Sequence, residues 1–215
     1  MTSKPGSPKA VIYEDGLKRG LDVVVAALVL ILISPLLIGI ALLIKLDSPG
    51  PVFFRQARSG LNGKTFRLFK FRSMSATNNV YEVDKNDEIT RVGKWIRRTS
   101  LDEVPQLINV VKGEMSLIGP RPWLPEYYEV MSDEQRRRYR VRPGITGLAQ
   151  STGRNGLTIF EKIQYDLQYV DKISLKTDVK IVKDTLLSLS DGSIMDIGKH
   201  GISEEIRQLK VANGR

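Results

Sequence analysis

The chain has 215 residues, 41% of them hydrophobic, which predicts one domain with a substantial core and leaves room for a membrane segment. It contains no cysteine and a single histidine, His200, which excludes disulfides and thiolate metal sites and argues against a histidine-based catalytic or metal centre. The net charge is +9, and residues 1–74 alone carry +7, from eleven Lys and Arg against four Asp and Glu. Because this basic region lies beside an apolar segment, it favours anionic lipid and phosphate-bearing substrates over nucleic acid as partners.

Residues 1–15 are predicted to be a disordered tail, and a long apolar segment follows. From Val23 to Ile44 there are 22 residues without a charge. As an unbroken helix this segment is about 33 Å long, enough to cross a hydrocarbon core of ~30 Å. Pro35 has no N–H to donate to the carbonyl of Ile31, so we expect a kink or a break there. The hydroxyl of Ser34 is well placed to satisfy the freed backbone group.

Two membrane geometries fit this segment: a kinked spanning helix, or a re-entrant hairpin that returns to the same face. Cytoplasmic flanks collect Lys and Arg, and a simple span should be basic on one side only. Here both flanks are basic, which favours the hairpin. A buried core helix or a cleaved signal peptide fits poorly, because the segment is long and no small-residue cleavage site follows it. The basic residues of the flanks are Lys4, Lys9, Lys18 and Arg19 before the segment, and Lys45, Arg55, Arg58, Lys64, Arg67, Lys70 and Arg72 after it.

After a turn at 48–51, the sequence predicts a β-hairpin. Its strands are expected at 52–56 and 65–74, with Asn62-Gly63 as the turn signal. The apolar positions change phase between Leu68 and Phe69, which predicts a bulge or the end of a strand. Residues 75–92 are polar and mixed in charge, so we expect a surface loop with a short helix.

Three helices are predicted in the second half of the chain. The first begins at Ser100, which has capping-box spacing to Glu103, and ends at Gly113. The others are expected at about 158–172 and 174–190, with Ser174 as the N-cap of the last helix. That helix carries one apolar stripe opposite lysines, and we expect the stripe to face the core, with a membrane-surface helix as the alternative. The stripe consists of Leu175, Val179, Val182 and Leu186.

The adjacent acids Asp102 and Glu103 are the first candidates for chemistry. Acids at a helix N-terminus often serve the cap, because they meet free N–H groups and the positive end of the dipole. Two carboxylates can also hold Mg²⁺, which prefers oxygen ligands and often bridges to substrate phosphates. An ionised carboxylate can attack phosphorus to form an acyl phosphate. The residues alone leave these alternatives open.

Basic and proline-rich segments surround this acidic pair. Arg97 and Arg98 lie upstream, Arg121 stands between two prolines, and Arg142 precedes a proline and a glycine. Flanking prolines restrict the backbone of Arg121, and a held guanidinium suits bidentate binding of phosphate oxygens. Each segment alone is typical of an ordinary turn. Together with the apolar segment they predict phosphate chemistry at a lipid surface.

Seven ordered motifs give the chain a family resemblance: Lys18 to Asp22, Ser34-Pro35, Ser48 to Gln56, Lys70 to Met74, Arg97 to Gln106, Gly119 to Pro122, and Arg142 to Gln150. Through them the chain resembles the bacterial sugar transferases, the small monotopic phosphoglycosyl transferases. The resemblance covers residues 16 to 190, and the chain looks like the minimal form of the family.

The resemblance implies an activity and a place in the cell. The enzyme would move a sugar-1-phosphate from a UDP-sugar to undecaprenyl phosphate, release UMP, and so initiate the assembly of an exopolysaccharide, capsule, O-antigen or glycoprotein glycan. It would lie in the bacterial inner membrane with its catalytic domain on the cytoplasmic face.

Residue roles follow from the same resemblance. Asp102 matches the nucleophile that takes the phosphosugar, and Glu103 matches the Mg²⁺ ligand beside it. Ser34-Pro35 matches the break that makes the membrane helix re-entrant. Positions near the substrate phosphates are matched by Arg97 and Arg121, with Lys70, Arg72 and Arg142 as weaker candidates.

The resulting fold prediction is a mixed α+β, mainly helical α/β protein. A re-entrant membrane helix at 16–47 joins a small cytoplasmic domain at 48–190 with a short β-hairpin and amphipathic surface helices, followed by a C-terminal tail at 191–215. The expected partners are a UDP-sugar, undecaprenyl phosphate and membrane lipid, without nucleic acid, and a homo-oligomer remains open. Two other functions stay open: a membrane-bound Mg²⁺ phosphodiesterase, and a non-catalytic module that binds anionic lipid.

Overall fold

A computed structural model of the chain describes residues 13–75, 89–153, 156–190 and 201–214, and in this part the fold is mostly helical. The α-helices are α1 (Arg19–Asp47), α2 (Arg91–Arg98), α3 (Gln106–Lys112), α4 (Pro125–Val130), α5 (Asp133–Arg136), α6 (Leu148–Gly153), α7 (Ile159–Asp171), α8 (Leu175–Ser190) and α9 (Ile202–Ala212). The strands are β1 (Phe53–Ser59), β2 (Thr65–Phe71), β3 (Ser116–Ile118) and β4 (Gly144–Thr146). Most of the loop predicted at 75–92, and residues 1–12 of the predicted tail, lie outside the described residues.

The apolar segment forms the long helix α1, which follows a π-helical turn at Tyr13–Lys18. An 18-residue window within Gly16–Asp47 has a mean hydropathy of 3.0 and only 11% of it is buried, so this helix is long and apolar enough to cross a membrane. That exposure disagrees with a core helix of a soluble protein. The helix continues through Pro35, so the break expected there is absent. Ser34 Oγ donates to the carbonyl of Ile31 at 2.8 Å, as predicted for that hydroxyl.

One face of α1 packs against the domain that follows it. Near its start, Ala26 lies in a cluster with Phe66, Leu68, Leu107, Val110 and Met115. Near its end, Ile40 and Ile44 lie in a second cluster with Phe71 and Ile96. Both ends of α1 therefore contact the same domain, while most side chains between them are exposed.

The predicted β-hairpin is present, and its pairing runs without interruption from Phe53↔Phe71 to Ser59↔Thr65. Strand β2 continues past the change of apolar phase at Leu68 and Phe69, so neither the predicted bulge nor a strand end lies at that position. Asn62 and Gly63 adopt φ values of 55° and 76° in the 3-10 turn Leu61–Gly63, which explains why the turn carries this dipeptide.

A second, parallel sheet pairs β3 with β4 and was not predicted, because three-residue strands leave no periodic pattern in the sequence. At its edge, Gly119 N donates to the carbonyl of Thr146, and Gly144 N donates to the carbonyl of Pro120. The main chains approach so closely that a Cβ at Gly119 would overlap the carbonyl of Arg142. This sheet fixes the start of the segment that carries Arg121.

The last helices differ in part from expectation. Ser174 caps α8, since its hydroxyl accepts from Thr177 N at 3.2 Å. The apolar stripe of α8, however, is wrong as a core face: its four residues are 41–62% exposed. The helix instead buries Asp178 and Ile181, because Lys18 and Tyr169 bind the Asp178 carboxylate and fix the rotation of the helix.

Within the predicted C-terminal tail, helix α9 packs onto the domain. Leu209 is fully buried in a cluster with Tyr127 and Met131, and Glu205 accepts a hydrogen bond from the Tyr127 hydroxyl at 2.6 Å. This stretch of the tail is therefore part of the folded domain.

Candidate active site

The acidic pair lies on a single 3-10 turn, Leu101–Glu103, between α2 and α3. Ser100 stands before it in the left-handed region with φ 57°, and its side chain makes no capping hydrogen bond, so the predicted capping box is wrong. The Glu103 side chain turns away to meet two cations instead. Asp102 and Glu103 are both buried, at 9% and 6% exposure, which is unusual for adjacent acids and indicates a functional site.

Glu103 is held by two cations from distant segments. Lys70 Nζ lies 2.5 Å from Glu103 Oε1, and Arg121 Nη2 lies 2.6 Å from the same oxygen. Burial by itself would raise the pKa of Glu103, but the charges and hydrogen bonds of Arg121 and Lys70 outweigh it and hold that pKa well below its ordinary value. Glu103 is therefore ionised throughout the physiological range.

Asp102 has a different environment. Within the described residues, no hydrogen-bond donor reaches its side chain, although the charges of Lys70, Arg97 and Arg121 act on it. Burial raises the pKa of Asp102, Lys70 opposes that shift, and the neighbouring Glu103 charge adds to it. A helix N-terminus ordinarily lowers the pKa of a nearby acid, whereas burial moves the pKa of Asp102 in the opposite direction. A poorly solvated carboxylate without hydrogen bonds is well suited to nucleophilic attack.

The oxygens of this pair can accommodate a divalent cation. Glu103 Oε1 is occupied by Lys70 and Arg121, whereas Oε2 has only a 3.4 Å contact with Arg121 Nη1. That oxygen and the Asp102 carboxylate keep lone pairs for a metal. Among the described residues no group of three or more His, Cys, Asp and Glu side chains could enclose a metal. Carboxylate oxygens such as Glu103 Oε2 and those of Asp102 are the hard ligands that Mg²⁺ prefers, and Mg²⁺ itself stays a prediction.

Two arginines complete the positive surroundings of the pair. Arg97, predicted here, donates from Nε to Ser73 Oγ at 2.8 Å, and its charge acts on Asp102. Arg58 was not singled out by the sequence analysis. Burial, followed by the nearby Arg121 charge, lowers the pKa of Arg58 to about 10. Nothing in the hairpin sequence distinguishes Arg58 from Arg55, and only the tertiary packing reveals its position.

Two other predicted phosphate-binding residues do not reach the acidic pair. Arg72 is buried and donates to the carbonyls of Ser48 and Pro49, at 2.7 Å each, so it closes the turn after α1. Arg142 donates from Nε to the carbonyl of Gly113 at the end of α3. The structure therefore gathers Lys70, Arg97 and Arg121 at the carboxylates and places Arg72 and Arg142 elsewhere.

Comparison with known proteins identifies relatives of this chain. The family described as "Bacterial sugar transferase" matches residues 13–192. A Caulobacter vibrioides protein named UDP-glucose:undecaprenyl-phosphate glucose-1-phosphate transferase is 44% identical over 201 residues, which cover 88% of this chain and 75% of that protein. An Escherichia coli K12 protein of the same name is 47% identical over 178 residues, or 77% of this chain.

The relatives differ in length. The chain spans 38% of the Escherichia coli protein. It spans 94% of a Rhizobium leguminosarum exopolysaccharide production protein, at 42% identity and 80% coverage of this chain. The family match at residues 13–192 contains the long apolar helix α1, the acidic pair and the surrounding cations.

Proposed function

This chain belongs to the bacterial sugar transferase family, and from that premise we propose that it transfers a sugar-1-phosphate from a UDP-sugar to undecaprenyl phosphate and releases UMP. The product initiates assembly of a polysaccharide. UDP-glucose is the first donor to test, because several relatives are named for it, and UDP-galactose is the second, because another relative is named a galactosyl transferase.

The observation that carries this proposal is the asymmetry of the acidic pair. Glu103 is clamped by Lys70 and Arg121 and stays ionised, whereas Asp102 beside it accepts no hydrogen bond in the described part of the chain. A non-catalytic lipid-binding module has no use for buried adjacent carboxylates. Three cations whose charges act on the Asp102 carboxylate suit attack on a diphosphate, since they offset the repulsion between two anions.

The reaction balances without any external energy source. An Asp102 oxygen forms a bond to the sugar-bearing phosphorus, and the bond from that phosphorus to the bridging oxygen breaks, so the electron pair leaves with UMP. A phosphate oxygen of the lipid then attacks the same phosphorus and frees Asp102. One pyrophosphate linkage is consumed and one is made, so catalysis needs positioning and charge neutralisation.

The chain's own cations have distinct tasks in this scheme. Arg121 and Lys70 bind Glu103, their charges act on Asp102, and both can bind phosphate oxygens as these approach. Arg97 and Arg58 extend the positive surface on either side. Mg²⁺ bound by Asp102 and Glu103 Oε2 would supply further neutralisation of the diphosphate.

The contacts of α1 support a re-entrant helix on the cytoplasmic face. At its start, Arg19 Nη1 donates to the carbonyl of Val110 at 2.7 Å; at its end, Asp47 accepts from Val92 N at 2.9 Å. A helix that crosses the membrane fully would carry one end to the far side, away from the domain. Contacts at both ends, and basic flanks on both sides, favour a helix that enters and returns to one face. The exposed apolar stripe of α8 suits the same membrane surface.

The experiment that tests the proposal uses the full chain in detergent or nanodiscs with UDP-glucose and Mg²⁺. Without lipid acceptor, we expect up to one UMP per enzyme and a phosphosugar attached to the protein. Addition of undecaprenyl phosphate should give turnover and lipid-linked sugar phosphate. Asp102→Asn should abolish both the attachment and the turnover.

Three other outcomes would each point elsewhere. Free sugar phosphate as the only product would identify a phosphodiesterase. Transfer to lipid without any covalent adduct would replace the two-step scheme by direct displacement. No release of UMP from any UDP-sugar, with Asp102→Asn indistinguishable from the parent, would leave the lipid-binding module.

A further inference from the structure

The segment that carries Arg121 is held along its backbone by three separate parts of the chain: strand β1, the turn of Arg138 and strand β4. Four consecutive carbonyls accept hydrogen bonds: Pro120 from Gly144 N (2.9 Å), Arg121 from Arg138 Nη2 (2.8 Å), Pro122 from Arg58 Nη1 (3.3 Å), and Trp123 from Ser59 N (2.9 Å). Ordinary turns leave most such carbonyls to water. So complete a set of partners indicates that the position of this segment matters.

Arg138 makes the most elaborate of these contacts. It is 1% exposed, lies 3.8 Å over the ring of Trp123, and donates from Nε and Nη2 to Asp166 Oδ2 at 2.9 and 2.7 Å. One guanidinium therefore holds the carbonyl of Arg121 and the ring of Trp123, on either side of Pro122. Asp166 Oδ1 is buried and has no hydrogen-bond partner in the described part of the chain. Its carboxylate thus serves Arg138.

A buried ion pair is a costly way to stabilise a core, because both charges lose water. An apolar pair of the same size would fill the space as well. What an apolar pair cannot supply is a planar fork that binds a carboxylate and a backbone carbonyl together. The chemistry of Arg138 therefore points to the carbonyl of Arg121 as its purpose.

Resting on the function proposed above, we propose that Arg138 and Asp166 are positioning residues for the transfer reaction and act through the main chain of Arg121. Prolines on both sides fix φ of residues 120 and 122, so the freedom that is left at Arg121 lies in its φ and in a ψ that Pro122 narrows. The direction of the Arg121 carbonyl reports that angle, and Arg138 holds this carbonyl. The Arg121 side chain in turn reaches Glu103, so a small rotation of its backbone moves the guanidinium at the acidic pair.

Arg138→Lys tests this role with little change of charge. Lysine keeps a cation beside Asp166 but lacks the planar fork, so it cannot also fix the Arg121 carbonyl. We expect kcat/KM for UMP release from UDP-glucose, with undecaprenyl phosphate present, to fall about 10- to 100-fold, the loss that a misplacement of ~1 Å can cause. In an Arg121→Lys background the same substitution should cost less than about threefold, because the fork that it positions is already gone. A radiolabelled sugar keeps slow variants measurable.

Asp166→Asn is the second variant, for the case that Arg138→Lys folds poorly, because asparagine keeps the shape of the side chain. Its effect on kcat/KM is likewise compared between the parent and the Arg121→Lys background. Glu205→Gln is the matched control. It removes an ion pair to Lys162 (2.9 Å), one turn before Asp166 on α7, and the hydrogen bonds of Glu205 go to Lys162 and Tyr127 rather than to the carbonyls of residues 120–123. Its activity should stay within about twofold of the parent, as for a site that is not coupled to the reaction.

The inference is overturned if Arg138→Lys and Asp166→Asn each lower kcat/KM by the same factor in the parent and in the Arg121→Lys background. It is also overturned if these substitutions lower the melting temperature and leave kcat/KM unchanged. A parent enzyme that releases no UMP from any UDP-sugar would refute the proposed function, and the inference with it. Activity in the parent combined with additive losses refutes the inference alone.

Discussion

Replacing Glu103 by glutamine tests whether its two ion pairs stabilise the site. The substitution keeps the shape of the side chain but leaves Lys70 and Arg121 without their common anion. Removing one partner of a buried ion pair costs about 3–5 kcal/mol, because the remaining charge stays buried and unpaired. The Lys70 and Arg121 side chains retain 21% and 38% exposure, so water screens part of this cost. We therefore expect a loss of about 2–3 kcal/mol.

The assay is thermal unfolding in detergent, followed by tryptophan fluorescence, since Trp95 and Trp123 both lie in the domain. For a protein of this size each kcal/mol shifts Tm by about 2–4 °C, so Glu103→Gln should lower Tm by about 4–12 °C. Glu204→Gln, which weakens an exposed pair with Arg207, is the control and should change Tm by less than about 2 °C.

A double variant identifies the cause of the loss. If an unpaired cation is responsible, adding Lys70→Met to Glu103→Gln should recover part of the stability, because one of the two stranded charges is removed. If the loss arises from packing, the losses of stability caused by the two substitutions should add. A Tm change below about 2 °C for Glu103→Gln, equal to that of the exposed control, would refute the reasoning.

The stability that the Glu103 ion pairs contribute should depend on pH in a defined direction. Because the pKa of Glu103 lies well below its ordinary value, the carboxylate stabilises the fold fully above the unfolded pKa of about 4.3, and this stabilisation is lost as the pH falls through the lowered pKa. The Tm difference between the parent and Glu103→Gln should be constant from about pH 8 to 6 and narrow below about pH 4.3. A Tm difference that increases below about pH 4.3 would contradict the claim that the Glu103 ion pairs stabilise the fold.

Three further predictions concern activity and topology. Arg121→Lys keeps the charge but loses the planar fork, so UMP release should fall clearly while Tm stays close to that of the parent, and a parental rate would reduce Arg121 to a turn residue. Because burial raises the pKa of Asp102, the acidic limb of the pH–rate profile should lie above the ordinary value of about 3.9, and a limb at or below that value would argue against Asp102 as the nucleophile. Cysteines introduced as Ser3→Cys and Gly214→Cys, in a chain that has none of its own, should both resist a membrane-impermeant thiol reagent applied from outside the cell. Labelling of position 3 would exclude the re-entrant helix, and Pro35→Leu should increase that labelling, because it restores the N–H that a continuous spanning helix needs.

Features that depend on neighbours in the sequence were predictable. The Ser34 hydroxyl reaches the Ile31 carbonyl, Gly113 ends α3 in the left-handed conformation, and Ser174 caps α8. Each of these depends on groups within one helical turn, so the residue type and its spacing determine the result. The hairpin turn at Asn62-Gly63 follows for the same reason.

The site required more than local pattern. The ordered motifs and the family resemblance pointed to Asp102, Glu103, Lys70, Arg97 and Arg121, which the structure brings together. They also offered Arg72 and Arg142, as weaker candidates beside Lys70, and these two arginines bind backbone carbonyls elsewhere. The sequence alone does not distinguish a basic residue that binds a substrate from one that binds a backbone carbonyl.

Only the tertiary structure decided which faces are buried and which charges meet. Lys70, Glu103 and Arg121 come from three segments, 33 and 18 residues apart, and Arg138 reaches the Arg121 carbonyl from a fourth. The apolar stripe of α8 faces outward because Asp178, on another side of that helix, is bound by Lys18 and Tyr169. Helical periodicity predicts that a helix has an apolar face. Which face of the helix packs against the core depends on the contacts that all of its faces can make, and those contacts form only when the chain has folded.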